Sequence, residues 1–214
     1  MATVPSHAQE DKARQAVEDL ANQKAPLIVD VGVSADIVGP VMKALNSDFA
    51  QMEVAARVNF KGKYYPVFEL GYGESSCMGD ETGNYYKTKA PYFRIGADYN
   101  FCKKWYKGNR LFLGLRYGFS SYKYDIGNPT FTDPVWGEAM PFNITDLSAN
   151  SHWGEVVFGI ETRIWKFVNL GWNVRYKIRM SHSESPQGRP WYVPGYGKYG
   201  SSCLGGTFNL IFCI

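Results

Sequence analysis

Leu170-Gly-Trp-Asn-Val-Arg-Tyr-Lys-Ile-Arg-Met180 alternates without a break: Leu, Trp, Val, Tyr, Ile and Met hold the even positions, and Gly, Asn, Arg, Lys and Arg the odd ones. A period of two is a β-strand with one apolar and one polar face. A soluble antiparallel sheet gives the same alternation with its polar face in water, so this strand alone does not say which face meets solvent. Residues 27–37, 49–60, 64–73, 91–102, 110–124, 153–165 and 202–214 alternate in the same way, and the chain after Pro26 therefore reads as eight strands. The links 61–63, 103–109 and 166–167 are short, 74–90, 125–152 and 181–201 are long, and 38–48 is intermediate. Short turns at one end and long loops at the other are the pattern of outer-membrane barrels.

The polar faces decide the orientation. They carry Asp30, Asp36, Glu53, Glu69, Asp98, Glu155 and Glu161 against Arg57, Arg94, Arg116, Arg163, Arg175, Lys177 and Arg179, together with Gly32, Gly71, Gly73, Gly96, Gly114, Gly118, Gly159, Gly171 and Gly205. A soluble exterior has no need to match acids with bases or to use so much glycine. A narrow eight-stranded lumen needs both, because long charged side chains must interdigitate with small ones and unpaired buried charge is costly. The apolar faces are Val, Leu, Ile and Ala in the middle. Aromatics gather at the ends: Phe60, Tyr64, Phe101, Trp105 and Tyr106 on the short-turn side, Tyr72, Tyr117, Phe119 and Trp153 toward the long loops. Two such girdles mark membrane interfaces. The fold expected is all-β, an eight-stranded antiparallel transmembrane β-barrel with a charged, side-chain-filled lumen and long extracellular loops, its termini and short turns periplasmic.

Composition agrees. Of 214 residues 16% are aromatic, charged residues are 20% and the net charge is only +3, with no basic stripe to favour nucleic acid. Mean hydropathy is −0.30 and no apolar run approaches the ~18 residues of a membrane helix. Ser6-His7-Ala8 before Gln9 has the small residues of a signal-peptide cleavage site, so residues 1–8 read as a signal remnant, 9–26 as a periplasmic leader with a short helix over 10–22, and 27–214 as the barrel. Cys77, Cys102, Cys203 and Cys213 include no Cys-x-x-Cys pair, which argues against zinc. An exported chain leaves a Cys77–Cys203 disulfide open, whereas Cys102 and Cys213 fall on opposite walls.

Three kinds of function fit such a barrel. A channel would need an open lumen, and fourteen charged side chains fill it. A lipid A-modifying enzyme would use the rim, where Ser181-His182-Ser183-Glu184 follows one strand and His152 precedes another; with a short 166–167 turn both histidines face outward side by side, but no triad is legible. Partner docking would use the loops. Trp136, Met140 and Phe142 lie in one, and Trp191, Tyr192, Tyr196 and Tyr199 in the other, with rigid Pro and Gly between them. This is interface composition; the same residues also suit a cap in which the loops pack on each other. The reading is non-enzymatic, with no catalytic residue, metal or cofactor.

Ala90-Pro-Tyr-Phe-Arg-Ile-Gly96, Gly114-Leu-Arg-Tyr-Gly-Phe-Ser-Ser-Tyr-Lys-Tyr-Asp125 and Trp191-Tyr-Val-Pro-Gly-Tyr-Gly-Lys-Tyr-Gly-Ser201 resemble, in order, a Bacteroidota family of small outer-membrane proteins catalogued as a domain of unknown function. The resemblance runs from about Leu27 to the C-terminus. It implies an integral accessory subunit of the outer-membrane barrel assembly machine, set in lipid and lipopolysaccharide beside a central insertase barrel and under surface-exposed lipoproteins. It carries over no catalytic residue. Phe212-Cys-Ile214 departs from the terminal aromatic usual in such barrels. A stand-alone structural or adhesive barrel of the OmpA or OmpX kind is the alternative.

Overall fold

The computed structural model describes residues 25–214 apart from 46, 80–82, 103–107, 134 and 184. The signal-like segment, the leader up to residue 24, Trp105, Tyr106 and Glu184 therefore lie outside the described residues. Among the described residues ten strands and one short helix follow in the order β1 (Ile28–Asp36), α1 (Val38–Ala44), β2 (Phe49–Phe60), β3 (Tyr64–Met78), β4 (Tyr85–Asn100), β5 (Arg110–Asn128), β6 (Phe142–Arg163), β7 (Val168–Ser183), β8 (Tyr192–Val193), β9 (Gly197–Lys198) and β10 (Ser202–Cys213). Eight of them close into one antiparallel ring in the order β1-β10-β7-β6-β5-β4-β3-β2, and β8 and β9 form a separate two-stranded hairpin. Closure is by Gly32↔Cys213 through Asp36↔Asn209 between β1 and β10.

The alternation produces the ring directly. On β7, Trp172, Val174, Tyr176 and Ile178 point outward and are exposed, while Asn173, Arg175 and Lys177 are buried inside. The β2–β3 turn has φ of 53° at Lys61 and 67° at Gly62, with Lys63 N–H bonded to the Phe60 carbonyl. Two successive positive φ values give a type I′ hairpin, whose twist matches that of its strands.

Four strands run well past their expected ends. β3 and β4 stay paired to Met78↔Tyr85, and β5 and β6 to Asn128↔Phe142, so segments expected as loops 74–90 and 125–152 are largely hairpin. Their polarity explains the difference. Along β4 the outward residues run Tyr99, Ala97, Ile95, Phe93, Pro91, then Lys89 and Lys87; the inward ones run Asn100, Asp98, Gly96, Arg94, then Tyr92, Ala90, Thr88 and Tyr86. β5 switches likewise, from Leu111–Phe119 outward to Ser121 and Lys123, and from Arg116 inward to Tyr122 and Tyr124. The barrel thus has two storeys. The lower is polar inside and apolar outside. The upper has the ordinary polarity of a soluble protein, and its core is the cluster of Tyr86, Ala90, Tyr92, Tyr122, Tyr124, Leu147, Ala149, Trp153, Tyr192, Val193 and Tyr196.

Candidate functional site

The lower storey is filled by one ion network. Arg94 on β4, 0% exposed, pairs with Glu53, with Glu69 (3.0 Å) and with Glu155 (2.8 Å). Arg175 on β7 reaches the same three carboxylates at 3.0, 2.6 and 3.5 Å. Arg116 joins Glu69 (3.0 Å) to Asp98 (2.6 Å), Arg110 joins Asp98 to Glu161, and Arg57 ends the chain on Glu161. Five carboxylates and five guanidinium groups are thereby connected. Tyr92 Oη donates to Glu53 (2.8 Å), and Trp153 Nε1 to Glu155 (2.6 Å). Glycines supply the space: a Cβ on Gly71 would lie 2.3 Å from Tyr92 Oη, and one on Gly118 2.3 Å from the Trp153 ring.

Nine of the fourteen expected lumen charges belong to this network, and five lie elsewhere. Asp36 ends β1, accepting N–H bonds from Val38, Gly39 and Phe208. Asp30 holds Asn59 (2.8 Å) near the short-turn end. Arg163 is exposed there, a correction to its placement inside. Arg179 is only half-buried, its guanidinium 4.2 Å from the centre of the Tyr199 ring. Lys177 donates to the carbonyls of Gly195 (2.7 Å) and Tyr196 (3.0 Å), and no carboxylate among the described residues ion-pairs with it. Arg110 is not among the charges expected inside, yet it opens its strand on the inward parity shared with Arg116. The cavity at the centre of the network is about 30 Å³, room for about two waters, and a wider one reaches Arg94, Arg175 and Lys177 from the β10 side. Reconstituted in a planar bilayer, the protein is expected to give no sustained conductance; stable ohmic single-channel steps would contradict a filled shaft.

The loop residues divide sharply. The β8–β9 hairpin enters the mouth of the barrel. Pro190, Val193, Pro194 and Tyr196 are almost fully buried, Arg94 donates to the Gly195 carbonyl (2.8 Å), and the Tyr196 ring meets Trp153 edge-on at 5.9 Å. Burial pushes the Tyr192 phenol up to about 12 against the pull of Arg94, and raises Tyr196 as well, so both are neutral at pH 7. Tyr192 and Tyr196 are therefore parts of an internal plug, correcting their assignment to a partner surface. Tyr199 is half-buried against His182 (3.0 Å), and Trp191 stays at the rim, stacked on Phe49. The β5–β6 tip is open: Trp136 is 81% exposed, and Met140, Phe142, Phe131 and Val135 are exposed beside it.

Two further expectations are corrected. Trp153 belongs to no outer girdle; it is completely buried inside, on the same parity as Glu155. His152 and His182 do not meet. A bulge at Met180 makes Ser181 the partner of His152 and Ser151 the partner of His182, so the two rings fall on opposite faces of the wall. His152 lies outside against Phe119 and Tyr117, and His182 bonds Tyr199. All four cysteines are free thiols, Cys77 and Cys203 each packing on the aromatic core. Among the described residues no group of three or more His, Cys, Asp or Glu is placed to hold a metal ion.

Fold and interior together define an all-β closed barrel with an ion-filled shaft and a plugged mouth. The chain belongs to the family described as Domain of unknown function (DUF6048), whose model matches residues 1–214. No curated protein matches the chain. No solved structure matches it either.

Proposed function

We propose that this protein is an integral outer-membrane β-barrel without catalytic activity, an accessory subunit of an outer-membrane protein assembly complex of Bacteroidota type. It would dock a neighbouring insertase barrel through its wall, and surface-exposed lipoproteins through its outer tip. The observation that carries the membrane part is the inversion of polarity along single strands. The exposed face of β4 passes from Tyr99, Ile95 and Phe93 to Lys89 and Lys87 just where the inner face passes from charge to tyrosine. An apolar belt around a charged interior suits lipid, and the reverse suits water. A closed sheet also leaves few backbone groups to satisfy in the bilayer. The docking part is supported by the β5–β6 tip, where Phe131, Val135, Trp136, Met140 and Phe142 form an apolar aromatic patch above the belt. The separation of His152 from His182 speaks against hydrolysis at the rim.

The test is affinity purification from native outer membrane in mild detergent. Co-purification with an insertase barrel and surface lipoproteins is expected, and Trp136→Ala should lower lipoprotein recovery at least ~10-fold, the scale of an interface hot spot. A lone 24 kDa species would favour the stand-alone barrel instead.

A further inference from the structure

The ring is weakest where it closes. β1 pairs with β10 only from Gly32↔Cys213 to Asp36↔Asn209, and then the chain leaves the wall as α1. The helix covers β2, with Gly39 so close to the Gln51 carbonyl that a Cβ would overlap it. It does not cover β10. Phe208 shows which way that edge points: its carbonyl accepts from Ile37 N–H (2.9 Å), and its N–H donates to Asp36 (3.2 Å). Backbone groups alternate in direction along a strand, so the N–H and C=O of Gly206 and Leu204 face the same side. Among the described residues no strand pairs with them there. A cavity of about 400 Å³ opens between this edge and Val38 and Met42 of α1.

Its height matters. At ~3.3 Å per residue and a tilt of ~35–45°, Leu204 stands about 21–24 Å above Cys213 along the axis, toward the top of a belt ~25 Å tall. Lipid tails cannot satisfy backbone donors and acceptors, and open sheet edges do not occur facing hydrocarbon. The inner side of the gap is cationic. Gly205 has no side chain, and Lys177 Nζ occupies the space 3.4 Å from where its Cβ would be, bonded to two backbone carbonyls and in no salt bridge among the described residues, with Glu155 as its cross-strand neighbour.

We propose that β10 is a docking edge, which takes an extended segment of a partner protein as an added strand between β10 and α1. Its inward side chains are acidic or carbonyl-bearing toward Lys177, and its outward ones are apolar, continuing the belt at Leu204 and Phe208. Strand addition of this kind draws affinity from main-chain hydrogen bonds and specificity from alternate side chains. The inference rests on the subunit reading above, and gives the wall contact a place and a mode.

The test uses the full chain in its native membrane. A benzophenone amino acid is placed in turn at Ser202, Leu204 and Gly206, with Ile160 on another part of the wall as control. The expected adducts map to one short stretch of one partner, moving along it stepwise as the probe moves along β10, and the control does not give them. Leu204→Pro removes one seam-facing N–H and spares the β7 ladder; it should lower partner recovery at least ~10-fold with the heat-modifiable gel shift retained. Should that variant fail to fold, the adduct map decides. Adducts to lipopolysaccharide only, or scattered over the partner, overturn the proposal. So does full recovery by a folded Leu204→Pro protein when the wild type also recovers the partner, an outcome that leaves the subunit reading standing. Recovery of no protein by the wild type overturns both.

Discussion

Arg175→Glu should leave no folded barrel. The guanidinium lies within 3.5 Å of Glu53, Glu69 and Glu155, and its Nε donates to Asn173 (2.9 Å). Removing one partner of a buried ion pair costs about 3–5 kcal/mol. Reversal does more, because it sets a fourth carboxylate among three buried ones. Against a total stability of ~5–15 kcal/mol, the heat-modifiable band on unboiled gels should vanish. Arg175→Met, which removes charge without adding the wrong one, should fold with a lower urea midpoint, since Arg94 and Arg116 still hold Glu69. Arg179→Glu is the contrast: this side chain is half-buried at the rim, with a tyrosine ring for its neighbour, and the band should persist. A wild-type gel shift for Arg175→Glu would mean that the shaft is not held together by these charges.

The different outcomes at 175 and 179 also show what alternation can and cannot convey. Parity placed Glu53, Arg57, Glu69, Arg94, Asp98, Arg116, Glu155, Glu161 and Arg175 inside, because each sits on an unbroken stretch of strand where a period of two fixes the face. It fails beyond Met180, where one extra residue shifts the register and sends His182 to a place that counting does not reach, while Arg179, still in register opposite Trp153, is simply at the rim. Trp153 was misplaced for another reason. Its parity with Glu155 pointed inward, and its aromatic character suggested a girdle; parity won, because Gly118 opposite leaves space for the indole inside.

The upper storey was not legible because its rule is reversed. Above Phe93 and Phe119 the faces exchange polarity without changing their period, so a reading that assigns one polarity per strand sees only a fading signal and ends the strand. What fills that storey comes from far along the chain. The hairpin that packs on Tyr86, Tyr92 and Trp153 begins after Pro190, and composition cannot tell an aromatic loop that turns into the mouth from one that faces a partner. Only the contacts separate Tyr192 and Tyr196, which are buried, from Trp136, which is not.

That separation predicts the second large effect. Gly195→Val should expel the hairpin from the mouth while leaving the shaft folded. Gly195 has φ of +80°, and a Cβ there would lie 2.4 Å from the Tyr92 ring. The backbone strain costs about 1–3 kcal/mol. The bonds that Arg94 and Lys177 make to the Gly195 carbonyl, each worth roughly 1.5–3 kcal/mol for a charged donor, oppose the expulsion, so the overlap with the fully buried Tyr92 ring must supply the rest of the driving force. Cleavage of a transiently opened loop follows its open population, so chymotrypsin added to the outer face should cut at Trp191, Tyr192 or Tyr196 at least ~100-fold faster than in the wild type. Gly137→Val controls for strain: its φ is +71°, but a Cβ there meets nothing within 4 Å, and the 190–200 segment should stay protected. Because the hairpin contributes no carboxylate or guanidinium to the five-and-five network, the gel shift of Gly195→Val should survive. Unchanged proteolysis would show that the hairpin is not held by the barrel mouth, and would return Tyr192 and Tyr196 to the outer surface as candidates for docking.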